Sequence, residues 1–245
     1  MSCLRFPHVD HVVALVFTGR DRRLDSDPDD IYVVMKEVVR LKEFTSRYDD
    51  TTLSILSEEK FNEVLKNIAK GKAGDIRLRS RNSTIDTTDG TINSRSPDGT
   101  GDITLNAQGN ITTGALQASA LNSEKPTTGG NVNITSTQGE INATQNIETY
   151  SQQGTAGDVN ITAAGHVHTN NILSQGRQQG GDINIRSDSE NSINAAGVLE
   201  TYSEAGIAGN VSLTSPGSIN IRSIRSEGME QGGDIQVDSA LGEIN

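Results

Sequence analysis

Gly157-Asp158-Val159-Asn160-Ile161 and, 24 residues later, Gly181-Asp182-Ile183-Asn184-Ile185 share one pattern: glycine, then Asp or Asn, then two aliphatics separated by a polar residue. The pattern also occurs at Gly74-Asp75-Ile76-Arg77-Leu78, Gly101-Asp102-Ile103-Thr104-Leu105 and Gly130-Asn131-Val132-Asn133-Ile134. It returns at Gly209-Asn210-Val211-Ser212-Leu213 and Gly233-Asp234-Ile235-Gln236-Val237, so that successive spacings are 27, 29, 27, 24, 28 and 24 residues. Self-similarity at this period marks stacked supersecondary units. The alternation of apolar and polar residues has the period of two expected of a strand buried on one face.

Two more apolar positions follow each signature. Ile85, Ile111, Ile141, Val167, Ile193, Ile219 and Ile244 mark a second strand, ten to twelve residues past the glycine. Ile92, Leu116, Ile147, Ile172, Leu199 and Ile224 mark a third. Between them lie Gly, Asn, Asp and Ser, which turn a chain. The expected architecture is all-β: a right-handed parallel β-helix with three short strands per coil and about seven coils. One coil cannot bury its few aliphatics alone, so its neighbours must cover them, in continuous interior ladders. A helical repeat would need apolar residues at three- and four-residue spacing and would not tolerate this much Gly and Asn.

Composition agrees. Hydrophobic residues make up 33% of the 245 and aromatics 3%, with no Trp. That is too little for a compact globule of this size but enough for a thin solenoid. Repeats resemble their second neighbours: Ile147-Glu148-Thr149-Tyr150-Ser151 matches Leu199-Glu200-Thr201-Tyr202-Ser203, 52 residues on, as duplication of a two-coil unit would produce.

The formal charge is −11. Residues 1–72 hold 12 basic and 13 acidic side chains, and residues 73–245 hold 9 and 19, so the excess lies on the repeats. Such a surface repels phosphate backbones and excludes nucleic acid as a partner. The single cysteine, Cys3, allows neither a disulfide within the chain nor a Cys-based zinc site. No membrane span is expected, because the apolar run Val12-Val13-Ala14-Leu15-Val16-Phe17 is far shorter than the roughly 20 residues a helix needs. The run also makes a poor signal peptide, with only Arg5 ahead of it and no small-residue cleavage site behind.

Residues 1–25 stay unassigned, and residues 26–72 are expected to form a small α-helical N-terminal cap. Asp27-Pro28-Asp29-Asp30 reads as a helix start, followed by the apolar stripe Ile31, Val34, Met35, Val38 and Leu41. A second helix is expected over 57–70, with Ser57 as its N-cap. Together they would cover the strand edges of the first coil. At the other end, Leu241-Gly242-Glu243-Ile244-Asn245 matches Gln138-Gly139-Glu140-Ile141-Asn142, the second strand of a coil. The solenoid over 73–245 is therefore expected to be cut short, a fragment of a longer protein, with end-to-end association through its uncapped coil.

Coils marked by Gly180-Gly181-Asp182-Ile183, Gly232-Gly233-Asp234-Ile235 and Gly129-Gly130-Asn131-Val132 resemble those of filamentous haemagglutinin-like β-helix proteins. The likeness is greatest to the cyanobacterial members, some of which carry a caspase-like CHAT domain further along. It covers residues 73–245, about 70% of the chain. The resemblance implies a secreted or cell-surface stalk, exported by two-partner secretion and used in adhesion. Without an export signal the chain by itself would stay in the cytoplasm.

Several groups of residues invite a chemical reading. Asp75, Asp102, Asn131, Asp158, Asp182, Asn210 and Asp234 could together offer oxygens to calcium, but the Gly-Gly-x-Gly-x-Asp nonapeptide of calcium-binding β-rolls is missing. Hydrogen bonds from side chain to backbone at a turn account for them better. His166 and His168 flank inward Val167 and are expected to face solvent, with no third metal ligand nearby; His8-Val9-Asp10-His11 is no better supported. Glycoside chemistry would need aromatic platforms and long loops, whereas the repeats hold only Tyr150 and Tyr202, and one longer connection, 122–128, with Glu124, Lys125 and Pro126. No catalytic, cofactor-binding or metal residues are assigned. The expected function is a non-catalytic stalk or adhesin-like segment making weak contacts with carbohydrate or protein. The alternatives are a scaffold preceding a caspase-like domain and, least favoured, a polysaccharide-degrading enzyme.

Overall fold

The computed structural model describes residues 31–35, 44–48, 51–55, 73–96, 100–121, 126–188, 190 and 192–245. Three strands precede the repeats: β1 (Ile31–Met35) and an antiparallel pair, β2 (Phe44–Tyr48) and β3 (Thr51–Ile55). The solenoid then winds through six turns. β4 (Ile76–Ser80) and β5 (Ile85–Ser96) form the first, and β6 (Ile103–Ala107) and β7 (Ile111–Ala120) the second. The third comprises β8 (Val132–Ser136), β9 (Ile141–Ala143) and β10 (Ile147–Ser151), and the fourth β11 (Val159–Ala163), β12 (Val167–Thr169) and β13 (Ile172–Gly176). β14 (Ile183–Ser187) and β15 (Ile193–Ser203) make the fifth, and β16 (Val211–Ser215) and β17 (Ile219–Gly228) the sixth. β18 (Ile235–Ser239) opens a further coil, so the seven signatures mark about six full turns rather than seven.

The first strands stack in one parallel sheet in the order β1-β4-β6-β8-β11-β14-β16-β18. Second and third strands share the other large sheet, also parallel. Only the third and fourth turns keep three separate strands. In the others, one strand of 10 to 12 residues runs through the corner, with register shifts at Thr87/Thr91 and Ala195/Val198 that absorb the difference in repeat length.

The interior is four aliphatic columns, one of them running from Leu78 through Leu105, Ile134, Ile161, Ile185 and Leu213 to Val237. Ile76, Ile103, Val132, Val159, Ile183, Val211 and Ile235 are successive register partners. The column through Ile85 and Ile111 ends with Ile219 over Ile244, and the one through Ile92 and Leu116 ends at Ile224. Ile103, Val132, Val159 and Ile183 are completely buried. β-branched side chains fill these columns because each packs on a pleated surface directly under its counterpart.

Glycine at the signature has a steric cause. A Cβ on Gly130 would lie 2.1 Å from the carbonyl oxygen of Gly101, and one on Gly157 would lie 2.1 Å from that of Gly130. Coils separated by one strand spacing leave no room there for a side chain.

The expected helical cap fails where it is described. Ile31–Met35 is a strand, parallel to β4 with Ile31 opposite Ile76 and Met35 opposite Ser80. Ile31-Tyr32-Val33-Val34 is a run of β-branched and aromatic residues with low helix propensity. The edge of β4 offers it a row of unpaired backbone groups, and pairing with them outweighs the capping signal ahead of it. The rest of that expected helix, the second helix over 57–70, and residues 1–25 lie outside the described residues. No helix among the described residues is long and apolar enough to cross a membrane.

Candidate functional site

The most regular polar feature follows the signature glycines. The backbone N–H of Asp102 donates to Asp75 Oδ1 (2.9 Å), that of Asn131 to Asp102 Oδ1 (2.8 Å) and that of Asp158 to Asn131 Oδ1 (2.8 Å). The series continues from Asp182 to Asp158 (2.8 Å), Asn210 to Asp182 (2.7 Å) and Asp234 to Asn210 (2.7 Å). Each side chain reaches the next coil, not its own turn. The carbonyls of Asp102, Asn131, Asp158, Asp182, Asn210 and Asp234 meanwhile accept the N–H that opens the strand one coil earlier, for example Ile76 N–H to Asp102 at 2.8 Å. At a corner the backbone turns away and an amide would lose its ladder partner; the Asp or Asn oxygen replaces that partner. One oxygen of every ladder side chain from Asp75 to Asn210 is thus engaged in holding coils together. Asp75 also pairs with Arg77. Among the described residues, no three His, Cys, Asp or Glu side chains gather as a metal set.

A second polar spine lies inside, facing the glycines. Ser174 Oγ donates to Gly157 O (3.0 Å) and accepts from Gly181 N–H (2.9 Å); Ser226 does the same with Gly209 O (2.9 Å) and Gly233 N–H (2.6 Å). Thr149 and Thr201 donate to the same two carbonyls, at 2.6 and 2.7 Å. All four pairs of equivalents are 52 residues apart, so the duplicated two-coil unit has a physical counterpart in this bonding. The signal was present in the sequence as a serine seven residues before Gly101, Gly181 and Gly233. Apolar spacing alone does not register it.

His166 and His168 are exposed on either side of buried Val167. His166 Nδ1 accepts the N–H of Ser192 at 3.1 Å, which gives the imidazole the same task as the corner Asp and Asn side chains. At the equivalent corner two coils earlier, Asn110 Oδ1 accepts Glu140 N–H at 3.1 Å. His8, Asp10, His11, Glu124 and Lys125 lie outside the described residues.

The outward faces remain for contact with anything else. On the first-strand face, Asn133, Asn160 and Asn184 form an amide ladder, Asn160 Nδ2 donating to Asn133 Oδ1 at 3.1 Å and Asn184 Nδ2 to Asn160 Oδ1 at 3.0 Å. On the third-strand face, Tyr150, Gln175 and Tyr202 are consecutive register partners, beside the column Glu148, Leu173 and Glu200. No family model matches the chain, and comparison with curated proteins and with solved structures finds no significant match to it.

Proposed function

We propose that the chain is a non-catalytic β-helical stalk segment of a secreted or cell-surface protein, right-handed and of the filamentous haemagglutinin-like type that its coils resemble. The observation that carries this reading is the unbroken spine from Asp75 to Asp234. Six inter-coil bonds of 2.7–2.9 Å commit the most regular acidic residues of the chain to joining coils. Carboxylates that serve as general acid or base need a free oxygen within reach of substrate and a partner in a different environment. Here the environments repeat from coil to coil, as suits a rod that spaces or displays. Right-handed winding accords with the handedness favoured by parallel crossover connections.

Antibodies raised against residues 73–245 and applied to intact and lysed source cells test the reading. Labelling of intact cells is expected; labelling that appears only after lysis refutes a surface location. Release of reducing sugar from a panel of polysaccharides would refute the non-catalytic part.

A further inference from the structure

The two tyrosines of the repeats occupy equivalent places in the duplicated unit, Tyr150 in β10 and Tyr202 in β15, with Gln175 of β13 between them in register. Both project from the outer face, and Tyr202 is 38% exposed. At about 4.8 Å per coil, they stand about 9.6 Å apart along the solenoid axis. Gln175 does not fill the interval with its amide: Nε2 donates to Glu200 Oε1 at 2.6 Å, drawing the head group into the neighbouring column. Arg225 pairs with Glu200 and Glu227, and Arg177, two residues past Gln175, donates to the Gln153 amide oxygen. The face therefore offers two separated aromatic side chains, rimmed by carboxylate and amide oxygens, with Arg177 at its edge.

We propose that this face binds a neutral β-1,4-linked polysaccharide lying along the axis, with Tyr150 and Tyr202 as stacking platforms for alternate sugar residues. A pyranose ring presents an apolar C–H face edged by hydroxyls, which matches an isolated ring edged by acceptors. Two sugars of an extended β-1,4 chain span the interval between the tyrosines. A hydrophobic peptide would need the contiguous apolar surface that Gln175 and the glutamates interrupt. A polyanion would meet Glu148, Glu200, Glu204 and Glu227, which outnumber Arg177 and Arg225 beside them. The inference rests on the stalk reading, since it assigns a ligand to the stalk's surface.

Isothermal titration calorimetry of the whole chain with cellohexaose, β-1,4-mannohexaose and hexagalacturonate provides the test. At least one neutral hexamer is expected to bind in the high-micromolar to millimolar range, and hexagalacturonate to bind at least tenfold more weakly. Tyr150→Ala and Tyr202→Ala should each weaken binding about tenfold, a loss of about 1.4 kcal/mol. The phenylalanine variants should stay within about twofold, and the disaccharide should bind as weakly as the hexamer binds either alanine variant. Circular dichroism checks the fold of each variant, and an unchanged spectrum is expected of these outward substitutions. Binding of neither neutral hexamer, or equal binding by the double alanine variant, overturns the proposal; surface labelling of cells is read independently and separates that failure from failure of the stalk reading.

Discussion

Replacing Asp158 separates the two meanings a carboxylate ladder can have. Asp158 Oδ1 accepts the N–H of Asp182 at 2.8 Å, while its own N–H is held by Asn131. In Asp158→Ala the acceptor disappears and the Asp182 amide is left without its partner, a cost of about 1–3 kcal/mol. Against this stands relief of one repulsion: stacked carboxylates about 5 Å apart repel by about 1 kcal/mol in well-solvated surroundings. The net loss is about 0–2 kcal/mol, centred near 1, which for a domain of this size lowers Tm by about 2–4 °C at the centre and at most about 8 °C. Asp158→Asn keeps the oxygen and removes the charge. Its weaker, uncharged acceptor and the relieved repulsion offset each other, so Tm should move by less than about 2 °C. Asn131→Asp is the converse. The order Asp75, Asp102, Asn131, Asp158, Asp182, Asn210, Asp234 leaves no carboxylate with charged neighbours on both sides, and this variant would give position 131, Asp102 and Asp158 two each. It should lower Tm at low ionic strength and recover in high salt. Thermal unfolding followed by far-ultraviolet circular dichroism, with chelator and with added calcium, reads all three. If Asp158→Asn is as damaging as Asp158→Ala, and calcium raises the Tm of the unaltered chain, charge and a bound cation are what the ladder provides and the hydrogen-bond account is wrong.

Ile183, completely buried between Val159 and Val211, should lose about 2–5 kcal/mol on substitution by Ala, whereas outward Asn184→Ala should lose under about 1 kcal/mol; equal losses in urea titrations would contradict the narrow shared interior. Gly181→Ala places a Cβ 2.2 Å from Gly157 O and should destabilise by about 1–3 kcal/mol or more, while Gly109→Ala, whose nearest neighbour lies at 3.2 Å, should cost clearly less in the same titration.

The interior was legible from spacing. All four columns, from Ile76 to Ile235, Leu78 to Val237, Ile85 to Ile244 and Ile92 to Ile224, lie in the register that the repeats require. A period of two within strands and a near-constant interval between glycines leaves few other ways to bury so few aliphatics. The polar spines were legible only in part. That Asp and Asn would bond to backbone follows from their chemistry, but the partner of Asp75 is 27 residues away, and nothing local to Asp75 indicates it.

What the sequence by itself determined is the repeat, its strand positions and its buried columns, because side-chain alternation and turn residues act over a few residues. Tertiary structure alone decided where the corner hydrogen bonds go, why the signature glycines admit no side chain, and that Ile31–Met35 is a strand. Each of these depends on a neighbouring coil one strand spacing away: its carbonyls, its amides and its open edge exist as partners only once the chain has wound past itself.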